Sequence, residues 1–291
     1  MEDFGRRMEY TEPGDRYYDY CLWEYEPLAL PAEKFRSVNL LYHTFEVGGL
    51  DGGAYDLVGA IREGVGLFRT VWGVKHLGQD RLAWEFYFYD YRRRQRTRSI
   101  TRLLEVLSPF ASSNLEPNEN LPYFMFSIDI DGALVTGARD LDTVHVYMGN
   151  VGSTVSSGIC YLMDAGGMRL ENFYFFFDAN KQHQEIIGKI LCSACVDFTA
   201  VPLDRVFWPE LRNCGVVVVA NKQRNDAIYF SRINVDQLLF FLKRMNYPAA
   251  LIDFVEENRP RLDHLLFDVG IDYRMEGGNL LFLKSGYYGV F

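Results

Sequence analysis

One pattern recurs three times along the chain: a run crowded with aromatic residues, a short polar break, and a segment with helical spacing. The aromatic runs are 84–89, 172–177 and 227–230, and helices are predicted after them near 100–107, 183–190 and 235–245. A strand on an open sheet alternates apolar with polar residues, whereas a strand with bulky apolar residues on both sides must be covered on both faces. We therefore expect another layer against each face of these strands.

The rest of the pattern is typical of β-hairpins. Breakers such as Gly78-Gln79-Asp80 and Gly277-Gly278 separate strand-like runs. The predicted hairpins are 67–74 with 82–89, 124–130 with 144–148, 159–163 with 170–177, 216–220 with 228–232, and 267–273 with 280–283. Further helices are predicted at 54–62, 249–257 and 261–266. The chain thus contains about ten strands in five hairpins, interleaved with helices.

Ten twisted strands with apolar character on both faces are expected to close, because closure removes both exposed edges. The predicted fold class is therefore α/β: a closed ten-stranded antiparallel β-barrel surrounded by α-helices. A barrel of this size encloses more space than side chains readily fill, so we expect a solvent-filled lumen that can hold a ligand. With 48% hydrophobic residues, 1–291 is expected to form a single domain, with 1–53 an irregular segment packing on the barrel.

Charge and composition exclude some functions. The net charge of −9 argues against non-specific binding to nucleic acid or anionic membranes. The basic run 92–98 is interpreted as a solvated connection, with contact to an acidic peptide or a diphosphate as the alternative. The first seven residues lack the apolar core of a signal peptide, and no apolar run approaches the roughly 20 residues that span a bilayer. These features predict a soluble, cytoplasmic protein.

The C-terminal third carries a resemblance to a known family. It contains strands at 216–222 and 226–230, a helix at 235–245 and a final hairpin with an aromatic end, and residues 127–130 and 143–147 fit as earlier strands. This arrangement resembles the ABBA, or PT-barrel, prenyltransferases and is most similar to their cyanobactin peptide-prenyltransferase branch. The resemblance implies transfer of a dimethylallyl or longer prenyl group from its diphosphate to an aromatic, indole or guanidine side chain. The implied acceptor is a ribosomal peptide, expected to be cyclic.

Such a reaction needs an aromatic shelter for the allylic cation, because the face of an aromatic ring attracts positive charge. On the second strand Glu85, Tyr87 and Tyr89 share one face, and the residues between them share the other. The polar-tipped face fits a wet lumen better than a covered surface. The alternative for each tyrosine is an ordinary core residue with a satisfied hydroxyl group. The predicted shelter is Tyr87, Tyr89, Tyr147, Tyr174 and Tyr229.

Basic side chains are needed to hold the diphosphate, and the resemblance implies Mg²⁺ bound through the diphosphate with no ligand from the protein. Lys222 is the strongest candidate because the family also places a lysine after this hydrophobic strand. The fourth strand departs from the family, since its alternate positions supply only one basic residue. The alternative for any single lysine is a solvated strand end. The candidates are Arg69, Lys75, Lys222, Lys284 and His145.

The general base is a second departure. The resembling branch carries a glutamate on its first strand, but Leu67, Phe68, Arg69 and Thr70 supply no carboxylate there. The predicted replacements are Glu85, Asp129 and Glu46, because desolvation in an aromatic chamber raises the pKa of a carboxyl group towards a useful range. Two alternatives remain open: an acceptor that is a small aromatic or indole metabolite, and a degenerate barrel that binds peptide without catalysis.

Overall fold

Ten strands form one closed barrel in a computed structural model that describes residues 8–50, 52–91 and 96–291. Each strand pairs antiparallel with the next along the chain, and the last pairs with the first. This confirms the predicted five hairpins and their closure. The strands are β1 Thr70–His76, β2 Leu82–Tyr89, β3 Tyr123–Ile130, β4 Val144–Gly149, β5 Ser156–Asp164, β6 Gly167–Asp178, β7 Val216–Lys222, β8 Asp226–Ile233, β9 Phe267–Glu276 and β10 Asn279–Val290.

Helices cover the outside of the barrel. Their N-termini are defined by local signals where these exist: the Ser99 side chain accepts a hydrogen bond from the Arg102 amide, and Asn234 with Gln237 forms a capping box. No helix among the described residues is long and apolar enough to cross a bilayer. The helices are α1 Val38–Val47, α2 Gly52–Val65, α3 Ile100–Leu107, α4 Gly132–Val135, α5 His183–Leu191, α6 Val235–Arg244, α7 Ala249–Glu257 and α8 Arg259–Leu262.

The main hydrophobic core lies between the barrel and its helices. On β2, Trp84, Phe86 and Phe88 point outward into this core, and the Trp84 indole N–H donates to the Thr44 hydroxyl group of α1 at 2.7 Å. Full burial of one such aromatic side chain contributes about 1.5–3 kcal/mol. The outer layer explains why these strands are apolar on the face away from the lumen.

Several predicted boundaries are wrong. The first strand begins at Thr70 rather than at 67, and the helix predicted at 261–266 is Arg259–Leu262. The segment 1–53 is not irregular throughout, because 38–47 forms α1. This helix is buried on nearly every side and Ser37 provides no side-chain cap, so it lacks both the amphipathic period and the start signal. Strand β10 extends to Val290 rather than to 283, since its glycine-containing end resembles a loop but pairs with β1. Residues 1–7 and 51 of the N-terminal segment, and 92–95 of the basic run, lie outside the described residues.

The N-terminal segment crosses one end of the barrel. Tyr20 is buried there, and its neighbour Asp19 is paired with Arg232 of β8. Tyr25 lies outside the barrel, where its hydroxyl group accepts a hydrogen bond from the Leu266 amide at 2.9 Å. The lumen is therefore closed at this end, and its opening lies at the end that carries the β1–β2 and β7–β8 turns.

Candidate active site

The lumen contains a cavity of about 590 Å³, within the range of small-molecule sites. Its walls are the inward positions of the strands. Glu85 lies opposite Gly73 of β1 and Asp129 of β3, and Tyr87 lies opposite Ser127. The predicted inward face of β2 is confirmed for Glu85 and Tyr87, because both line the cavity. Period-two alternation predicted this because each strand is covered on its outer face.

Five tyrosines form a closed ring around the inner part of the lumen. Neighbouring ring centroids are 5.8–6.4 Å apart all the way round. Burial raises the pKa of every one of these hydroxyl groups well above its ordinary value, so they stay protonated at neutral pH. In order around the barrel the residues are Tyr87, Tyr147, Tyr174, Tyr229 and Tyr288. We call this set the tyrosine ring.

Two inward glycines make room for the tyrosine ring. A Cβ atom on Gly270 would lie 2.2 Å from Cδ1 of Tyr229. A Cβ atom on Gly73 would lie 2.6 Å from Cδ1 of Tyr288 and 2.9 Å from Cγ of Glu85. Glycine in a strand allows this close approach at the cost of a weaker strand.

The first of two charge clusters lies above the tyrosine ring. The Lys75 ammonium group is 2.7 Å from a Glu85 oxygen and 2.6 Å from an Asp129 oxygen. Burial by itself would lower the pKa of Lys75, but the two carboxylates outweigh burial and raise it. Burial would likewise raise the pKa of Asp129, but the charge of Lys75 outweighs this and lowers it. Lys75 is therefore a firmly charged cation between two carboxylates.

The second cluster lies on β7, β9 and β10, and β10 pairs with β1, the strand of Lys75. The Lys222 ammonium group donates to Asp272 at 2.7 Å, and the Lys284 ammonium group lies 3.8 Å from the same carboxylate. Burial lowers the pKa of Lys284, with the charges of Lys222 and Lys75 acting in the same direction and Asp272 acting against them. Lys284 is therefore less firmly paired with Asp272 than Lys222 is. The Lys284 side chain faces the lumen.

Acidic and basic side chains balance in this lumen. Four basic side chains and four carboxylates line it, and His145 lies 3.6 Å from Glu171. An entering diphosphate would compete with the carboxylates for the ammonium groups. The basic residues are Lys75, Lys222, Arg224 and Lys284, and the acidic ones are Glu85, Asp129, Glu171 and Asp272.

The structure brings together ten of the thirteen candidate residues in the cavity wall. Glu46 does not belong there, because it is exposed near the end of α1 outside the barrel. Arg69 is also exposed and precedes β1, so strand alternation does not apply to it. Tyr89 points inward but lies below the cavity, where its hydroxyl group donates to the Tyr20 carbonyl oxygen. The ten are Glu85, Asp129, Lys75, Lys222, Lys284, His145, Tyr87, Tyr147, Tyr174 and Tyr229.

Sequence reasoning missed several residues of the site. Tyr288 and Lys284 are inward positions of the same strand, so a longer β10 would have identified Tyr288. Asp272 is an inward position of β9 and could have been found by the same alternation. No periodic signal marks Tyr20, which lies outside the named strands and helices.

A metal site built from protein ligands does not occur in the described part of the chain, where no three His, Cys, Asp or Glu side chains are grouped to hold an ion. The Mg²⁺ predicted to accompany the diphosphate stays a prediction from the sequence.

Comparison with known proteins identifies the fold. No protein-family model matches the sequence, and no curated protein gives a significant match. The chain is similar to the crystal structure of 5-dimethylallyltryptophan synthase from Streptomyces coelicolor, with a TM-score of 0.50 and 9% identity over 86% of this chain and 95% of the other. A second similarity is to 6-dimethylallyltryptophan synthase from Micromonospora olivasterospora in complex with DMASPP and Trp, with a TM-score of 0.45 and 10% identity over the same shares.

At 9% identity the first similarity shows a shared fold. The predicted PT-barrel architecture is confirmed by the closed ten-stranded barrel and this similarity. Neither finding distinguishes the cyanobactin branch from the rest of the PT-barrel proteins.

Proposed function

We propose that this protein is a prenyltransferase that moves a dimethylallyl group from its diphosphate to a small aromatic acceptor, such as an indole, inside the lumen. One observation carries the proposal: a closed ring of five tyrosines, four of them buried and Tyr229 partly buried, shares a chamber with one open end with Lys75, Lys222 and Lys284. Lysine ammonium groups suit a diphosphate, and a ring of aromatic faces suits the allylic cation that remains when the diphosphate leaves.

The reaction would begin with heterolysis of the allylic C–O bond, in which the electron pair leaves with the diphosphate. Three lysines that line the same cavity are placed to bind phosphate oxygens and to stabilise the developing charge: Lys75 on β1, Lys284 on the neighbouring β10, and Lys222 on β7. Each tyrosine face that contacts the carbocation contributes about 0.5–2 kcal/mol. The buried rings also keep water away from the cation.

Carbon–carbon bond formation then uses a pair of π electrons of the acceptor, and the acceptor loses a proton to a carboxylate. We assign that proton to Glu85, which is buried, rather than to Asp129, whose side chain is 47% exposed. The inward position opposite Glu85 on β1 is Gly73, and the Glu85 side chain lies over it.

The choice of acceptor rests on the shape of the chamber. A cavity of about 590 Å³ with a closed inner end suits a diphosphate and one small ring system. The name of the Streptomyces coelicolor protein, a dimethylallyltryptophan synthase, supports tryptophan as the first acceptor to test. The peptide acceptor rests on the sequence resemblance alone and enters the test as an alternative.

The test is incubation of the purified protein with dimethylallyl or geranyl diphosphate and a panel of acceptors, followed by mass spectrometry. The panel contains tryptophan, indole, simple phenols, and linear and cyclic peptides carrying Trp, Tyr or Arg. We expect a product heavier by one isoprene unit with an indole, and loss of that product in Lys222→Met. Transfer only to peptides would replace the small acceptor, and peptide binding with no transfer to any acceptor would support a degenerate barrel.

A further inference from the structure

The floor of the lumen is completed by a residue from outside the barrel. Tyr20 belongs to the N-terminal segment, yet only 7% of it is exposed. Its ring centroid lies 5.1 Å from that of Tyr288 and 5.5 Å from that of Tyr87, in both cases edge-on. It also stacks on Tyr229 at 6.2 Å with an angle of 16° between the planes. Tyr20 thus closes the tyrosine ring from below.

The backbone of Tyr20 is fastened to the inner wall. Its amide N–H donates to an Asp268 oxygen of β9 at 2.8 Å, and its carbonyl oxygen accepts a hydrogen bond from the Tyr89 hydroxyl group of β2. The preceding residue, Asp19, accepts hydrogen bonds from the amides of Cys21 and Trp23, at 2.9 and 3.0 Å.

Asp19 also ties the segment to the rim of the barrel, because it accepts from the Arg232 guanidinium group of β8 at 2.7 Å. The hydrogen bonds of the Tyr20 amide and carbonyl groups, together with the tight loop beside them, hold the Tyr20 ring in one place. A ring fixed in this way acts as a wall.

Depth along β10 relates this wall to the substrate. Lys284 is one of the three lysines that line the cavity, and Tyr288 belongs to the tyrosine ring, four residues further along the same strand. Four residues of strand span about 13 Å. A diphosphate bound near Lys284 can extend a dimethylallyl tail within that depth, but each further isoprene unit must reach past Tyr288 to where Tyr20 lies.

We infer that Tyr20 determines the prenyl length, by ending the lumen at the depth of a dimethylallyl group. The inference rests on the proposed function. Because the residue comes from a separate segment, shortening its side chain would deepen the chamber without altering a strand. The Tyr20 ring belongs to a buried cluster that includes the apolar side chains of Val71, Val218 and Met125. A longer prenyl tail is suited to such surroundings.

The test compares kcat/KM for geranyl and dimethylallyl diphosphate in the full-length protein and in Tyr20→Ala. We expect the ratio to rise at least about 10-fold in the variant, because a difference of about 1.4 kcal/mol in transition-state binding is sufficient for this. Tyr20→Phe keeps the ring and should keep the wild-type ratio. Trp23→Ala is the matched control, since it truncates a ring of the same loop that is 48% exposed.

Tyr20→Leu serves as a second variant if Tyr20→Ala does not fold, and is expected to shift the ratio in the same direction. An unchanged ratio in a folded Tyr20→Ala or Tyr20→Leu protein would overturn the inference.

Calorimetric titration with the unreactive thiolodiphosphate analogues of both prenyl diphosphates separates this inference from the proposed function. If neither the wild type nor any Tyr20 variant transfers a prenyl group, the proposed function is wrong. Tighter binding of the geranyl analogue to Tyr20→Ala than to wild type would then still support Tyr20 as the wall, and equal binding would reject it.

Discussion

Replacing Lys75 by methionine tests the charge network that lies above the tyrosine ring. The Lys75 ammonium group touches both Glu85 and Asp129, and the side chains of Lys75 and Glu85 are only 10% and 8% exposed. Methionine preserves most of the volume but removes the charge. Two carboxylates that face each other across paired strands then lose their shared cation.

The expected cost follows from burial. Removing one partner of a fully buried ion pair costs about 3–5 kcal/mol, because it leaves an uncompensated charge. Here Asp129 is 47% exposed to the lumen, so water offsets part of the loss. We expect the free energy of unfolding at pH 7 to fall by about 2–3 kcal/mol.

The pH dependence gives a second, independent readout. In the wild type the pKa of Asp129 is lowered, so its stabilising contribution is present above the unfolded value of about 3.9 and is lost as pH falls below it. In Lys75→Met, Asp129 has lost the cation that lowers its pKa, so it binds a proton more readily in the folded state and acid relieves the repulsion. The stability difference between the two proteins should therefore be largest at neutral pH and narrow towards pH ~4.

The assay is urea denaturation of both proteins between pH 4 and pH 8, with Lys181→Met as the control. Lys181 also forms an ion pair, with Asp178, but its side chain is 81% exposed, so its loss should change stability by less than about 1 kcal/mol. A Lys75→Met protein as stable as wild type at pH 7 would refute the reasoning, and so would a loss that does not vary with pH.

Three further expectations concern the proposed base Glu85, the packing of Gly270 against the tyrosine ring, and Asp268, which binds the backbone of Tyr20. Glu85→Gln should slow prenyl transfer by about 10²-fold or more, measured as kcat with tryptophan, because the amide cannot accept the proton. Gly270→Ala should lower the free energy of unfolding by about 1–3 kcal/mol, since its Cβ would overlap the Tyr229 ring. Burial and the charge of Asp19 raise the pKa of Asp268 to about 7, above the unfolded value of about 3.9. The protonated form therefore stabilises the fold at low pH, and this contribution is lost as pH rises through about 7. Between pH ~3.9 and pH ~7 the free energy of unfolding of the wild type should fall by at most about 1.4 kcal/mol per pH unit. Asp268→Asn should flatten this decline.

Different results would contradict each expectation. A wild-type rate in Glu85→Gln would remove Glu85 as the base and direct attention to Asp129. Gly188→Ala is the control for Gly270→Ala, because nothing lies within 4 Å of its added Cβ on α5, and equal effects of the two would argue against crowding at Tyr229. A stability profile that keeps its slope in Asp268→Asn would assign the pH dependence to another group.

Local patterns were sufficient for the part of the site that lies on well-marked strands. Glu85 and Tyr87 could be placed inside the lumen because alternation has a period of two and only one face can be covered by helices. The hairpins were predictable because turn residues and strand-like runs are adjacent in sequence. Arg69 failed as a candidate because it lies just outside the strand, where alternation no longer applies.

The sequence by itself determined the ten strands, their order and the aromatic character of the lumen, since each depends on residues close together in the chain. Only the tertiary structure decided which charges meet and where the lumen ends. The Lys222–Asp272 pair and the contact of Tyr20 with Tyr288 join residues 50 or more positions apart. Such contacts arise from closure of the barrel and from the path of the N-terminal segment, which no local periodicity encodes.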